Sequence, residues 1–569
     1  MRTYQSPDIE PRGRRAATVR PPRRRRFSKL SCAGVIFTAL VAAGSFHCVT
    51  PFDAILGLAV PPGGPTEPLS TGEVLDIITQ AAAALADDRL VIAVADREGN
   101  VLGLFRKSNA PATVSVLLAG RLINVDANEL AVSLARTGAF FSNDQAPLSS
   151  RTVRFISREH FPPTIAPSGI VTGVKNTPPG ALWDIENTNK GCTLSAAYIP
   201  GQEIQPPMSI DRTGPSLGVA TIPGGVPLFR AGKLVGGIGV TGADPDFSEF
   251  AAFSGAAGAG FGPTPASPGE IFIDGIRLPF VKQDFLEPVL TTPGALTPRR
   301  PLGTVPDLFA NLADVGAFVT IPDLNNPALT VTDAQASLRP NVPEGWLVGP
   351  LGSPELSSIE VAGIVEQAII QANLTRAAIR LPLNQSAKMV IAVSNLNGDV
   401  IGLYRMPDAT VFSIDVAATK ARNVIYFSSF GRTPLDLPGV PYGTAVTTRT
   451  LRFGSQPFFP QGIDDTLPGP FALLRLHNQD NPCTQGFAPP GPNQSGVVFF
   501  PGSVPLYRAG IFLIGGLGVS GDGVDQDDLV SAAGGRGYEP IPNILADNVT
   551  VSGVRLPYLR FPRSPQEGL

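Results

Sequence analysis

Apolar positions along this chain follow two periods, and one series of them is written twice. Leu69 to Ala81, LSTGEVLDIITQA, and Leu356 to Ala368, LSSIEVAGIVEQA, carry apolar residues at helical spacing. Each stretch opens with a serine followed three residues later by a glutamate, Ser70 with Glu73 and Ser357 with Glu360. That capping-box pattern predicts an amphipathic helix at both places. Val91 to Arg106, VIAVADREGNVLGLFR, and Val390 to Arg405, VIAVSNLNGDVIGLYR, each place two apolar runs around a glycine turn, Gly99 or Gly398, which predicts a β-hairpin. Helical spacing returns in Leu130 to Phe141 and Ser413 to Tyr426, with Arg136 and Arg422 in matching positions. The paired stretches SSRTVRFISREHFPPTI (149 to 165) and TTRTLRFGSQPFFPQGI (447 to 463) follow, their arginines alternating with Val153 or Leu451 as on a strand. A second hairpin comes next, Val226 to Phe229 with Leu234 to Val240, and Val504 to Tyr507 with Ile511 to Val519. The glycines of GGIG and GGLG fall inside its second strand, where glycine marks a bulge or a close backbone approach. Each series closes on IDGIRLPFV (273 to 281) or VSGVRLPYL (551 to 559).

A repeat spaced by nearly three hundred residues is too long for a solenoid unit, so it predicts duplication of a whole domain. The fold class expected is α/β (α+β), with two tandem domains, each a small antiparallel sheet carrying helices. The first runs over 69–281, a proline-rich connector over 282–355 and the second over 356–569. Insertions of roughly 80 residues separate the middle helix from the second hairpin, too long for simple connections and so read as lids or packing arms. At 569 residues the chain suggests two to four domains, and 43% apolar residues suffice for their cores. Its 61 glycines and 58 prolines point to loop-rich domains. A formal charge of −3 with only 16% charged residues leaves no basic surface beyond the first 30 residues, so nucleic acid is excluded as a partner.

Those first residues have their own logic. The arginine-rich run Arg23 to Lys29 leads into an apolar stretch from Leu30 to Ala43, with small residues Ala42 and Gly44 before Ser45. This is the pattern of an export signal over 1–44, followed by a linker over 45–68. The RRRFSK run resembles the twin-arginine consensus, and the expected location is periplasmic or extracellular. The rival is an uncleaved membrane anchor extending to Val49. With Cys32 and Cys48 in that segment, Cys192 and Cys483 remain, one per repeat in ENTNKGCT and HNQDNPCT. They form either one disulfide across a symmetry axis or two buried thiols.

Catalytic patterns are missing from the sequence. It holds no GxSxG, HExxH, CxxC or spaced histidine cluster, so an enzyme is expected only through a bound cofactor. The embedded glycines lack the strand-loop-helix setting of a dinucleotide fingerprint. Asp244 with Asp246, and Asp525 with Asp527 and Asp528, read as caps of the next helix, with a calcium site the minor alternative.

The order helix, hairpin, helix, hairpin, ending in GGVPL…VGGIGVTG, resembles the GlcG/HbpS-like family of haem-binding proteins, also called the PduO C-terminal-like domain. The second repeat is closer, with Arg405, Met406, Asp408 and Ala409 and the helix from Ser413 through Lys420, Ala421 and Arg422. In the first repeat RKSNAPATVSVLL replaces part of that pattern. The resemblance implies a small antiparallel sheet with helices on one side, assembled as dimers or larger oligomers, so two fused copies would form an internal pseudo-dimer. It also implies haem or another tetrapyrrole as the ligand. Haem needs an axial donor and basic residues for its propionates. The candidate donors are His160 and His477, which are not equivalent, because Phe458 stands where His160 would repeat. The candidate basic residues are Arg151, Arg154, Arg449 and Arg452, read either as a carboxylate clamp or as ion pairs that hold the insertion to the domain. Two functions follow: an exported tetrapyrrole-binding or sensing protein, or a structural or partner-binding descendant that kept the fold and lost the ligand.

Overall fold

The computed structural model describes residues 67–165, 171–192, 209–210, 215–263, 271–281, 286–287, 297–298, 305–338 and 342–562. All belong to one compact unit, Pro62–Leu569. The expected export signal, Cys32, His47 and Cys48 lie outside the described residues, as do parts of the connector.

The first repeat begins with helix α1 (Thr71–Ala83), whose capping box forms as expected: the Ser70 hydroxyl accepts from the Glu73 amide and the Glu73 carboxylate accepts from Ser70. Strands β1 (Val91–Asp96) and β2 (Val101–Lys107) make the first hairpin. A small separate ribbon follows, β3 (Thr113–Leu118) with β4 (Arg121–Asp126), and then helix α2 (Ala127–Phe141). Helix α3 (Ser150–Ile156), the second hairpin β5 (Gly225–Arg230) and β6 (Lys233–Thr241), and helix α4 (Pro245–Gly258) complete it. The connector contributes β7 (Gly316–Phe318) and β8 (Gly345–Val348). The second repeat runs α5 (Ser358–Asn373), β9 (Met389–Ser394), β10 (Val400–Arg405), α6 (Phe412–Ser428), α7 (Thr448–Gly454), α8 (Ala472–Asp480), β11 (Ser503–Arg508), β12 (Phe512–Gly521) and α9 (Val524–Gly534).

Two five-stranded antiparallel sheets result, in the same order: β7-β2-β1-β6-β5 and β8-β10-β9-β12-β11. Their registers correspond, with Ala93 between Leu104 and Gly239, and Ala392 between Leu403 and Gly518. The segment expected as a connector therefore supplies an edge strand to each sheet.

Helices cover both faces of the first sheet, not the single face that the resemblance implied. Along β1, Ile92 and Val94 join a core with Val74, Ile77 and Ile78 of α1 and Phe250 and Phe253 of α4. Val91, Ala93 and Ala95 join another with Ala127, Ala131 and Ala135 of α2. A strand buried on both faces loses its polar alternation, which is why VIAVA reads as a continuous apolar run. The embedded glycines seat the middle helix. A Cβ at Gly237 or Gly239 would collide with the carbonyls of Ala135 and Ala131, and one at Gly516 or Gly518 with those of Ala421 and Ala417.

The stretches around the paired arginines are helices α3 and α7, not strands. A hydroxyl cap starts each helix in place of the alternating strand: the Ser149 and Thr447 side chains accept from the amides of Thr152 and Thr450, whose hydroxyls accept in return.

The insertions pack together. Trp183, from the first repeat, is only 1% exposed in a core otherwise built from the second, including Phe427, Leu451, Phe471, Leu474 and Phe499. Cys192 and Cys483 form a disulfide, with Cα atoms 5.3 Å apart, and nearby Arg475 pairs with Asp184 at 2.6 Å. Among the described residues no helix is long and apolar enough to cross a membrane.

Candidate functional site

The second repeat opens a cavity of about 540 Å³ at the turn end of its sheet. Two turns, one helix and neighbouring loops converge on it. The β9–β10 turn gives Leu396, Asn397 and Gly398, the last in the left-handed conformation (φ 77°) that glycine adopts without strain. Helix α6 gives Arg422, Ile425 and Tyr426, and the β11–β12 hairpin gives Tyr507 and Ile511 to Leu513. Phe430 and the loop residues Gln485 and Asn493 complete the wall.

The arginine and one tyrosine in this wall are already committed, whereas both polar atoms of the Gln485 side chain are buried without a partner. The Arg422 Nε donates to the Gly398 carbonyl at 2.8 Å and an Nη to Ser495 at 3.0 Å, bracing the turn against the helix. Arg136 does the same in the first repeat, donating to Gly99 at 3.0 Å. The Tyr426 hydroxyl donates to Asp436 at 2.7 Å. Tyr507 is 3% exposed, and its hydroxyl makes no hydrogen bond of good geometry. Burial pushes its pKa up to about 12, with the Ser428 hydroxyl pulling slightly the other way, so the phenol is neutral. The open surface is apolar: Phe430 is 81% exposed, Phe512 64% and Ile511 53%.

The corresponding place in the first repeat is filled. There Arg97, Asp144 and Lys233 stand where the second repeat has Leu396, Phe430 and Phe512. Asp408, from the second repeat, meets Arg97 at 3.4 Å and accepts from the Asp144 amide at 3.2 Å. Lys233 holds Asp144 at 2.7 Å, the Val411 amide donates to the Phe140 carbonyl at 3.1 Å, and Phe412 stacks on Phe141 with centroids 4.2 Å apart. Arg380 also grips Asp408, at 2.7 Å. Burial pushes the Asp408 carboxyl up, but Arg97 and Arg380 outweigh it and hold it below its ordinary range.

The residues singled out from sequence lie elsewhere. Arg151 pairs with Glu249 at 2.8 Å and Asp246 at 2.5 Å; Arg449 pairs with Asp525 at 2.5 Å and with Asp528. The acidic patches thus face Arg151, Arg449 and, at Asp527, Lys420, and among the described residues no group of three or more His, Cys, Asp or Glu is placed to hold a metal. Arg452 donates to the carbonyls of Pro179, Gly180 and Ala181 at 2.6 to 3.1 Å, clamping the first repeat's insertion. Burial first, then the neighbouring Arg449, lowers its pKa to about 9. Arg154 is lowered to about 10 by burial and by Arg158. The His160 Nδ1 lies 3.1 Å from the Thr177 carbonyl and its Nε2 3.5 Å from Asp464, with the ring beside Phe458. His477 stacks on Phe487 at 4.3 Å. Neither histidine lines the cavity.

Sequence reading missed the cavity, although its signal was present. The turn positions that are charged in the first repeat are apolar in the second, and PLFRAG becomes PLYRAG, which introduces Tyr507.

The cavity walls lie wholly within a segment that matches a known family. Residues 367–536 match the family described as haem degrading protein HbpS-like. Three solved structures are similar in part. One is described as a PduOC:heme complex, at 23% identity over 32% of this chain and 92% of that one, with a TM-score of 0.21. Another is Klebsiella pneumoniae protein ORFY, at 18% over 32% and 88%, also with 0.21. The third is HbpS, at 20% over 36% and 99%, with 0.17. No curated protein matches the chain significantly. The match to the HbpS-like family thus covers residues 367–536, less than half of the chain.

Proposed function

We propose that the chain is an exported, non-catalytic binder of one tetrapyrrole, haem being the ligand its family suggests, and that the second repeat holds it. The observation that carries this reading is the cavity of about 540 Å³, lined within residues 396–513 and so inside the family match. Its volume is in the range of small-molecule sites, and exposed Phe430 and Phe512 offer faces on which a flat ring can stack. The two repeats descend from one duplicated domain, a reading supported by their equal strand orders. The first keeps the fold with its ligand place filled by Asp408 to Phe412, so the fold-only alternative describes that half. Export is supported by the arginine-rich N-terminus and by the Cys192–Cys483 disulfide, since disulfides persist in oxidising compartments.

The residues fit the porphyrin ring and not its iron. No imidazole, thiolate or thioether lines the cavity, the Tyr426 hydroxyl is engaged by Asp436, and that of Tyr507 is sealed beneath the surface. Titration of the purified chain with hemin, followed at the Soret band, tests the proposal. A saturable change at one hemin per chain is expected. Bringing in the first repeat's charges, Leu396→Arg, Phe430→Asp and Phe512→Lys together, should weaken it at least tenfold, while His160→Ala and His477→Ala leave it unchanged. Absence of a saturable change, or equal binding by the triple variant, would remove the proposal.

A further inference from the structure

Resting on that reading, we infer that this cavity selects a tetrapyrrole by its ring and is indifferent to the metal, so that metal-free porphyrin is as good a ligand as haem. An iron-selective site presents a donor atom to the axial position. Of the side chains lining this one, only tyrosines carry a group that ligates haem iron, and both phenols are withheld. The Tyr426 hydroxyl donates to a carboxylate at 2.7 Å, and the Tyr507 hydroxyl has essentially no accessible surface. The disulfide occupies both Cys192 and Cys483, Met389 and Met406 are buried and do not line the cavity, and both described histidines are engaged outside it. Leu396, Ile425, Phe430, Ile511, Phe512 and Leu513 then carry the contact, and apolar burial and ring stacking do not sense the centre of a macrocycle. The counterpart turn supports the same view, because there the charges that replace this apolar set make ion pairs.

The test compares hemin with protoporphyrin IX on the full chain, by tryptophan quenching and ligand absorbance. Dissociation constants within fivefold of each other are expected, with Phe430→Asp weakening both to a similar degree. Phe430 is mostly exposed, so that variant should fold. A preference for hemin above fivefold, or a low-spin bis-ligated spectrum of bound hemin, would overturn the inference while leaving tetrapyrrole binding intact. Saturable binding of neither compound would remove both.

Discussion

Replacing Trp183 by alanine should uncouple the two halves of this protein. The indole is enclosed by Phe427, Leu451, Phe471 and Leu474, meets Phe499 edge to face at 6.2 Å, and lies under the guanidinium groups of Arg475 and Arg452 at 4.7 and 5.8 Å. Truncating a buried tryptophan costs about 3–5 kcal/mol. Loss of two partly desolvated cation–π contacts adds about 1–2 kcal/mol. A destabilisation of about 4–7 kcal/mol is therefore expected, on a scale where whole domains hold only about 5–15 kcal/mol. The chain has two tryptophans, and the other, Trp346, sits on β8 against Tyr404 in the second sheet. Urea unfolding of the variant, followed by Trp346 fluorescence and by circular dichroism, should show the two signals separating, where the wild type gives coincident curves. A midpoint shift equivalent to less than about 1.5 kcal/mol, with curves still coincident, would refute the claim that Trp183 anchors one half in the other.

Other outcomes follow from single contacts. Gly518→Ala should cost at least about 2 kcal/mol and lower the melting temperature, because its Cβ would strike the Ala417 carbonyl; an unchanged melting curve would contradict the packing of α6 on β12. Asp415 accepts from the Asn189 amide at 2.8 Å, yet burial raises its carboxyl to about 6, above the unfolded value near 4. The folded chain thus holds this proton where the unfolded chain has lost it, and stability falls as pH rises from about 4 to 6. Asp415→Asn should gain on the wild type across that window by about 1–2 kcal/mol, as read by denaturant midpoints. Cys483→Ser opens a link between residues 291 apart and should lower stability by about 2–5 kcal/mol in thermal scans.

Local chemistry was legible in the sequence wherever it stayed local. Both serine–glutamate capping boxes, both glycine turns and the close approach at the embedded glycines are written within a few residues, and the structure has them. The arginine stretches misled because their arginines alternate with Val153 or Leu451 as on a strand, while their helical start depends on a hydroxyl-to-hydroxyl cap in place of the usual glutamate. Edge strands β7 and β8 are three and four residues long and exist through pairing with β2 and β10, a long-range fact with no local period. The site was hidden for a related reason. Whether a turn ends in an open slot or a sealed one depends on Asp408, which meets Arg97 from 311 residues away.

The placement of Trp183 also sets a timetable for synthesis. The residues that enclose it span Phe427 to Leu556, so the indole leaves the ribosome up to 373 residues before its surroundings are complete. At about 5–20 residues per second that is on the order of 20–75 s, during which the nascent first half carries a bare indole and an unshielded turn face. The newborn chain is in this respect a client for a chaperone, and a stop codon anywhere between the repeats would yield a sticky fragment rather than a smaller working protein.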